Sequence, residues 1–149
     1  MALLEQLQND VKEAMRARDS ERTQNLRMLV NSLQREAKDK QRDLSGAEEI
    51  QVLSRERKKG LEAADAFASG GAEDRAAVER TQIQLIEQYL PAQMGDDELE
   101  RLVAEAVTET GATSPKDMGA VMKALMPKVQ GRADGKLVSA AVQKALTGA

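Results

Sequence analysis

The sequence predicts an all-α fold: an N-terminal helical domain of long helices followed by a small C-terminal three-helix domain. Three observations lead there. Apolar residues recur at three- and four-residue steps along most of the chain, the spacing that gathers them on one helix face. The apolar set is Leu, Ala, Val, Met and Ile, and the only aromatics are Phe67 and Tyr89. Such a composition suits helices and is poor material for a β-sandwich or barrel. No segment reads convincingly as a strand.

Residues 2–18 carry Leu4, Leu7, Val11 and Ala14 or Met15 on one stripe, with charged residues between them. Asp19-Ser20 interrupts and supplies a cap for a second helix, whose stripe is Leu26, Leu29, Val30, Leu33 and Ala37. It runs out in the charged stretch 36–43. Ser45-Gly-Ala-Glu48 has the form of a capping box and opens a third helix. Its expected stripe is Ile50, Leu53, the stem of Arg57, Leu61, Ala64 and Phe67, and Gly70-Gly71 ends it. A fourth helix over about 73–90 buries Val78, Ile83, Leu85, Ile86 and Tyr89 and stops at Pro91.

Residues 91–95 form the best linker, dividing a domain at 1–91 from one at 95–149. Asp96 is the expected cap of a fifth helix with Leu99, Leu102, Val103, Ala106 and Val107, ended by Gly111. Ser114-Pro115 starts a sixth, bearing Met118, Val121, Met122 and Leu125 and stopped by Pro127. After a loop over 128–135, Asp134 caps a last helix with Leu137, Val138, Ala141, Val142 and Leu146. A domain near 55 residues is marginal alone, so it leans on the first domain or on a partner.

The absences narrow the chemistry. The chain of 149 residues has no Cys, no His and no Trp. That removes disulfides, Cys/His zinc sites and nucleophile–base pairs built on either residue. No catalytic residue, metal site or cofactor is assigned. No apolar run is long enough to span a membrane, no secretory signal opens the chain, and the expected location is cytoplasmic. The net charge of −3 averages unlike segments: residues 91–110 carry −5 and residues 111–149 carry +4.

The most specific local feature is Gly131-Arg-Ala-Asp-Gly135, flanked by Lys128 and Lys136. It reads either as a phosphate-binding turn or as a structural turn in which Asp134 caps the following helix. It is not a Walker loop, because Leu137 follows Lys136. Met118, Met122 and Met126 form a row better suited to core than to an adaptable docking face. The basic run Arg55 to Lys59 reads as a solvated face, with Glu62 in reach of Lys58 or Lys59. The acid pairs Glu48-Glu49 and Asp96-Asp97 stand at helix starts, where the macrodipole favours them. Base stacking has little to work with, so any bound RNA is held through phosphates and shape.

The run Gly111-Ala-Thr-Ser-Pro-Lys-Asp-Met-Gly-Ala-Val-Met-Lys123, followed by Pro127-Lys-Val-Gln-Gly-Arg-Ala-Asp-Gly-Lys-Leu-Val-Ser139, strongly resembles the GatB/YqeY family. Ala14-Met-Arg-Ala-Arg-Asp19, Leu26-Arg-Met-Leu29 and Tyr89-Leu-Pro-Ala-Gln93 resemble a free-standing YqeY-like protein, so the likeness covers nearly the whole chain. It implies a helical N-terminal domain with a three-helix tail related to the RNA-contacting appendage of the GatB subunit of tRNA amidotransferase. The implied partners are tRNA or another structured RNA, and the amidotransferase or an aminoacyl-tRNA synthetase. The candidate phosphate contacts are Lys116, Lys123, Lys128, Arg132 and Lys136, with Gly131, Asp134 and Gly135 shaping the loop. Alternatives are a protein–protein adaptor and a carbon–nitrogen ligase using glutamine as amide donor. The kinase-like cradle and the amidase of the amidotransferase have no counterpart here.

Overall fold

The computed structural model describes residues 1–148, and among them are seven α-helices and no strand. The chain divides into two compact units, residues 1–90 and residues 91 onward.

The N-terminal unit consists of α1 (Ala2–Arg16), α2 (Ser20–Lys40), α3 (Gly46–Ser69) and α4 (Glu73–Glu87). Leucine dominates its core: Leu7, Leu26, Leu29, Leu33, Leu44 and Leu53 are buried together with Leu85, Ile86 and Leu90. The helix starts follow the expected chemistry. The Asp19 carboxylate accepts the Arg22 N–H at 3.1 Å. Ser45 Oγ accepts the Glu48 N–H at 3.2 Å while Glu48 Oε2 accepts the Ser45 N–H at 2.8 Å.

Two stripes differ from expectation. On α3, Val52, Leu53, Gly60 and Ala64 face inward and Leu61 is exposed. Gly60 is required by close approach, since a Cβ there would stand 2.9 Å from Ile83 Cγ1. A leucine one position on is turned about 100° from that contact. On α4, Ala76 is buried and Val78 is exposed. They stand two positions apart, about 200° around the helix, so a helix that turns Ala76 inward turns Val78 out.

The C-terminal unit consists of α5 (Asp96–Thr110), a 3₁₀ turn (Pro115–Asp117), α6 (Met118–Val129) and α7 (Gly135–Thr147). Its core is built mainly from valine, with Val103, Val121, Val129, Val138 and Val142 around Leu99 and Leu125. Gly95, not Asp96, is the N-cap of α5, and Asp96 falls in the first turn. Gly111 ends that helix with φ +67°, a conformation that favours glycine. Asp117 accepts the N–H groups of Thr113 at 2.9 Å and Ser114 at 3.2 Å, and these bonds hold its carboxyl below the usual range.

Pro127 does not stop α6. It sits inside the last turn, and the helix continues to Val129, which is buried. The missing N–H leaves one carbonyl a turn back without its helical partner, and the burial of Val129 offsets that loss. On α7, Val138, Val142 and Leu146 point inward at four-residue steps while Leu137 is exposed. Met118 and Met122 pack against the core, but Met126 is exposed, so the methionine row is core at two of its three expected positions. No helix among the described residues is long and apolar enough to cross a membrane.

Candidate nucleic-acid interface

The loop between α6 and α7 is built by its own bonds. Gly131 takes φ +76°, which turns the chain sharply at low cost only for a residue without a Cβ. The N–H groups of Arg132 and Ala133 both go to the Val129 carbonyl, at 2.9 and 3.1 Å. Asp134 Oδ1 accepts the Lys136 N–H at 3.0 Å, so Asp134 caps α7. Gly135 does not shape the loop by necessity: its backbone is not left-handed, and an added Cβ would meet nothing within 4 Å.

Arg132 is the centre of a clasp. Its Nη1 and Nη2 donate to the two carboxylate oxygens of Glu98, each at 3.0 Å, and its Nε donates to the Ala92 carbonyl at 2.9 Å. The Arg132 carbonyl accepts the Met94 N–H at 2.8 Å, and Gln93 Nε2 donates to the Gly131 carbonyl at 2.9 Å. Two parallel bonds to a carboxylate are the arrangement for which guanidinium geometry is best suited. The clasp therefore ties the segment before α5 to the α6–α7 loop within this unit, and Arg132 has its fork on Glu98 rather than turned to solvent.

The lysines differ. Lys128 Nζ lies 3.6 Å from Glu109 Oε2, an exposed pair of little energetic weight. Lys116, Lys123 and Lys136 are exposed and, among the described residues, enter no ion pair. A connection of five residues joins α6 to α7 as a helix–loop–helix hairpin whose two helices touch. Lys128 and Lys136 thus flank its joined end, Lys123 sits midway, and Lys116 stands near the opposite end, about 18 Å along the axis. These positions are spread along the hairpin. They suit contact with an extended polyanion better than the gripping of a small molecule.

The other candidate features are accounted for structurally. Arg55 reaches Glu36 on α2 at 2.7 Å, Arg57 reaches Glu87 on α4 at 2.9 Å, and Lys59 lies 3.5 Å from Glu56, not from Glu62. Phe67 lies under the Arg75 guanidinium, 5.9 Å from its ring centre. The Tyr89 hydroxyl donates to the Asp10 carboxylate, and burial pushes its pKa up. Among the described residues no three acidic side chains gather into a possible metal site.

One functional-looking acid escaped the sequence reading. Glu49 is 1 % exposed, and its carboxylate accepts the N–H groups of Leu4 at 2.8 Å and Leu3 at 3.4 Å. It does not serve the start of its own helix; it caps α1, whose N-cap residue Met1 contributes no side-chain bond. No local signal distinguishes it, because Glu48 beside it already completes the capping box of α3.

These observations define an all-α protein of two helical units in which the signature loop is bound up internally and exposed lysines line the hairpin. The Yqey-like protein family matches residues 4–146, and the chain belongs to that family. No curated protein matches the chain.

Proposed function

We propose that this is a non-catalytic protein that contacts tRNA or another structured RNA through its phosphates, using the α6–α7 hairpin, in connection with tRNA-dependent amidotransferase. The observation that carries the reading is the contrast within one unit. Arg101, Lys128 and Arg132 each face a carboxylate, whereas Lys116, Lys123 and Lys136 enter no ion pair among the described residues. Exposed cations at successive positions along α6 and α7 suit a run of backbone phosphates, and each phosphate neutralised releases counterions. Arg132 supports this surface from behind as a positioning residue, and Asp134 and Gly131 hold the loop. The link to the amidotransferase rests on the resemblance of the C-terminal run to the GatB tail.

Titration of labelled deacylated tRNA at about 50 and 200 mM salt tests the reading, because phosphate contacts make affinity fall steeply with salt. Replacing Lys116, Lys123 and Lys136 together by Gln should weaken binding and flatten the salt slope by about 2 to 3. Undetectable binding at the lower salt, or affinity indifferent to salt, would sink it.

A second reading, docking onto a protein, draws on a groove in the N-terminal unit lined by Met28, Leu29, Ile83 and Ile86, with Met28 half exposed. Pull-down after nuclease treatment separates the two, since RNA-bridged partners vanish and directly docked ones stay.

A further inference from the structure

The most concentrated unclaimed positive charge outside the C-terminal unit lies at the corner between α1 and α2. Elsewhere in the N-terminal unit, arginines meet carboxylates: Arg42 meets Glu48, Arg55 meets Glu36, Arg57 meets Glu87 and Arg80 meets Glu73. Arg75 lies over Phe67. Arg16, Arg18, Arg22 and Arg27 fall within one short stretch and, among the described residues, enter no ion pair. Arg35 shares that condition but stands two turns further along α2.

Two of the four converge. A concavity of about 290 Å³ is lined by Arg18 and Arg27, with Ser20, Thr23 and Gln24 between them. Ser20, Thr23, Gln24 and Arg27 occupy the same face of α2, at the spacing of neighbours on a helix surface. Arg18 is brought to it by an unusual backbone. Its φ is +56°, and the turn is closed by the Asp19 N–H returning to the Ala14 carbonyl at 3.0 Å. That conformation costs an L-residue roughly 1 kcal/mol or more, and glycine would adopt it freely. An arginine there contributes a guanidinium at the expense of the turn.

Arg27 has one weak contact, from Nη2 to Met15 Sδ at 3.4 Å, which leaves most of its donors open. Asp19 is the one acid lining the concavity, and its Oδ1 is engaged with the Arg22 N–H as the cap of α2. No aromatic lines the space, so it offers charge and hydrogen bonds but no stacking platform. Its volume lies just below the roughly 300–1,000 Å³ of small-molecule pockets, and it admits a phosphodiester group readily.

We propose that this corner is a second phosphate-contact surface for RNA, with Arg18 and Arg27 holding one backbone phosphate between their guanidinium forks. The inference rests on the RNA reading above but uses residues on the other unit. Its test compares three full-length proteins in the tRNA titration across about 50 to 200 mM salt: wild type, Arg18→Gly with Arg27→Gln, and Lys123→Gln with Lys136→Gln.

Arg18→Gly relieves the left-handed backbone, so the double variant should melt no lower than wild type, and lost binding cannot be assigned to unfolding. It should bind tRNA about five- to tenfold more weakly at the lower salt, with a salt slope shallower by about 1. If the lysine variant weakens binding and the arginine variant does not, the corner is overturned while the RNA reading stands. Weakening with an unchanged slope overturns it too, because the contact would not be ionic. If wild type fails to bind at the lower salt, both fall.

Discussion

The two units solve the same problem, fixing a chain segment against a helical core, by opposite means. The N-terminal unit does it with a buried anion: Glu49, sealed from solvent, accepts the first N–H groups of α1. The C-terminal unit does it at the surface: Arg132, partly exposed, grips Glu98 and the Ala92 carbonyl. The difference follows from their cores. Four helices around a leucine-rich core enclose enough volume to shelter a carboxylate, which is tolerable only when its oxygens are bonded. Three helices around small valines enclose less than four around leucines, so their polar fastening stays outside. Burial multiplies what a lost partner costs, and exposure divides it. The consequence reaches function, because the most recognisable motif in the chain, the Gly-Arg-Ala-Asp-Gly loop, is largely engaged in holding itself together.

The comparison predicts that Glu49→Ala has the largest effect. It strips two helix-start N–H groups of their acceptor and leaves a void, a cost of about 3 kcal/mol to the N-terminal unit. Glu49→Gln keeps one good acceptor and should lose only about 1 kcal/mol. Tyr89 is the only tyrosine and there is no Trp, so intrinsic fluorescence during urea unfolding reports this unit alone. Equal losses in the two variants would show that the charge matters and the geometry of acceptance does not, which would break the comparison.

Arg132→Ala should cost the C-terminal unit less, about 1 to 2 kcal/mol, because the pair is partly solvated and one bond to a backbone carbonyl goes with it. Amide hydrogen exchange in α7 measures it. Arg132→Lys is the sharper variant, since it keeps the charge and loses the fork. As a clasp, Arg132 should be hurt by lysine nearly as much as by alanine in stability. If lysine restores stability fully, the residue acts as a point charge and the fastening role fails.

Much of this fold is legible along the chain, for reasons that can be named. Helix starts at Asp19 and Ser45 are announced by side chains that bond their own next turn, and such signals are local. The exposed positions of Leu61, Val78 and Leu137 are not legible, because a helix pattern a residue wide of true looks equally periodic until a neighbour selects the face. Gly60 makes that selection on α3 by admitting Ile83. Pro127 misleads in the other direction: it reads as a stop, but Val129 beyond it has core to fill. At the candidate interface, the lysines were visible as charge, whereas the engagement of Arg132 by Glu98 depends on residues 34 apart. Glu49 bonds across 45 residues to Leu4, and nothing beside it in sequence says so.

The mildest effect separates the two kinds of fastening by pH. The Tyr89 hydroxyl is held protonated by burial first and by its bond to the Asp10 carboxylate second, so its pKa in the folded state lies above the ordinary value of about 10. The folded protein therefore holds this proton more tightly than the unfolded chain does. The stabilisation is complete below about pH 10 and is lost as pH rises through the folded value. Tyr89→Phe removes one partly buried hydrogen bond, about 1 kcal/mol at neutral pH. By far-UV circular dichroism, the gap between wild type and Tyr89→Phe should narrow above about pH 10, since the unfolded tyrosine then ionises while the folded one is still held protonated. A gap that stays constant through that range would mean the hydroxyl is not the proton donor to Asp10. The contrast between a sheltered N-terminal fastening and an open C-terminal one would then rest on Glu49 alone.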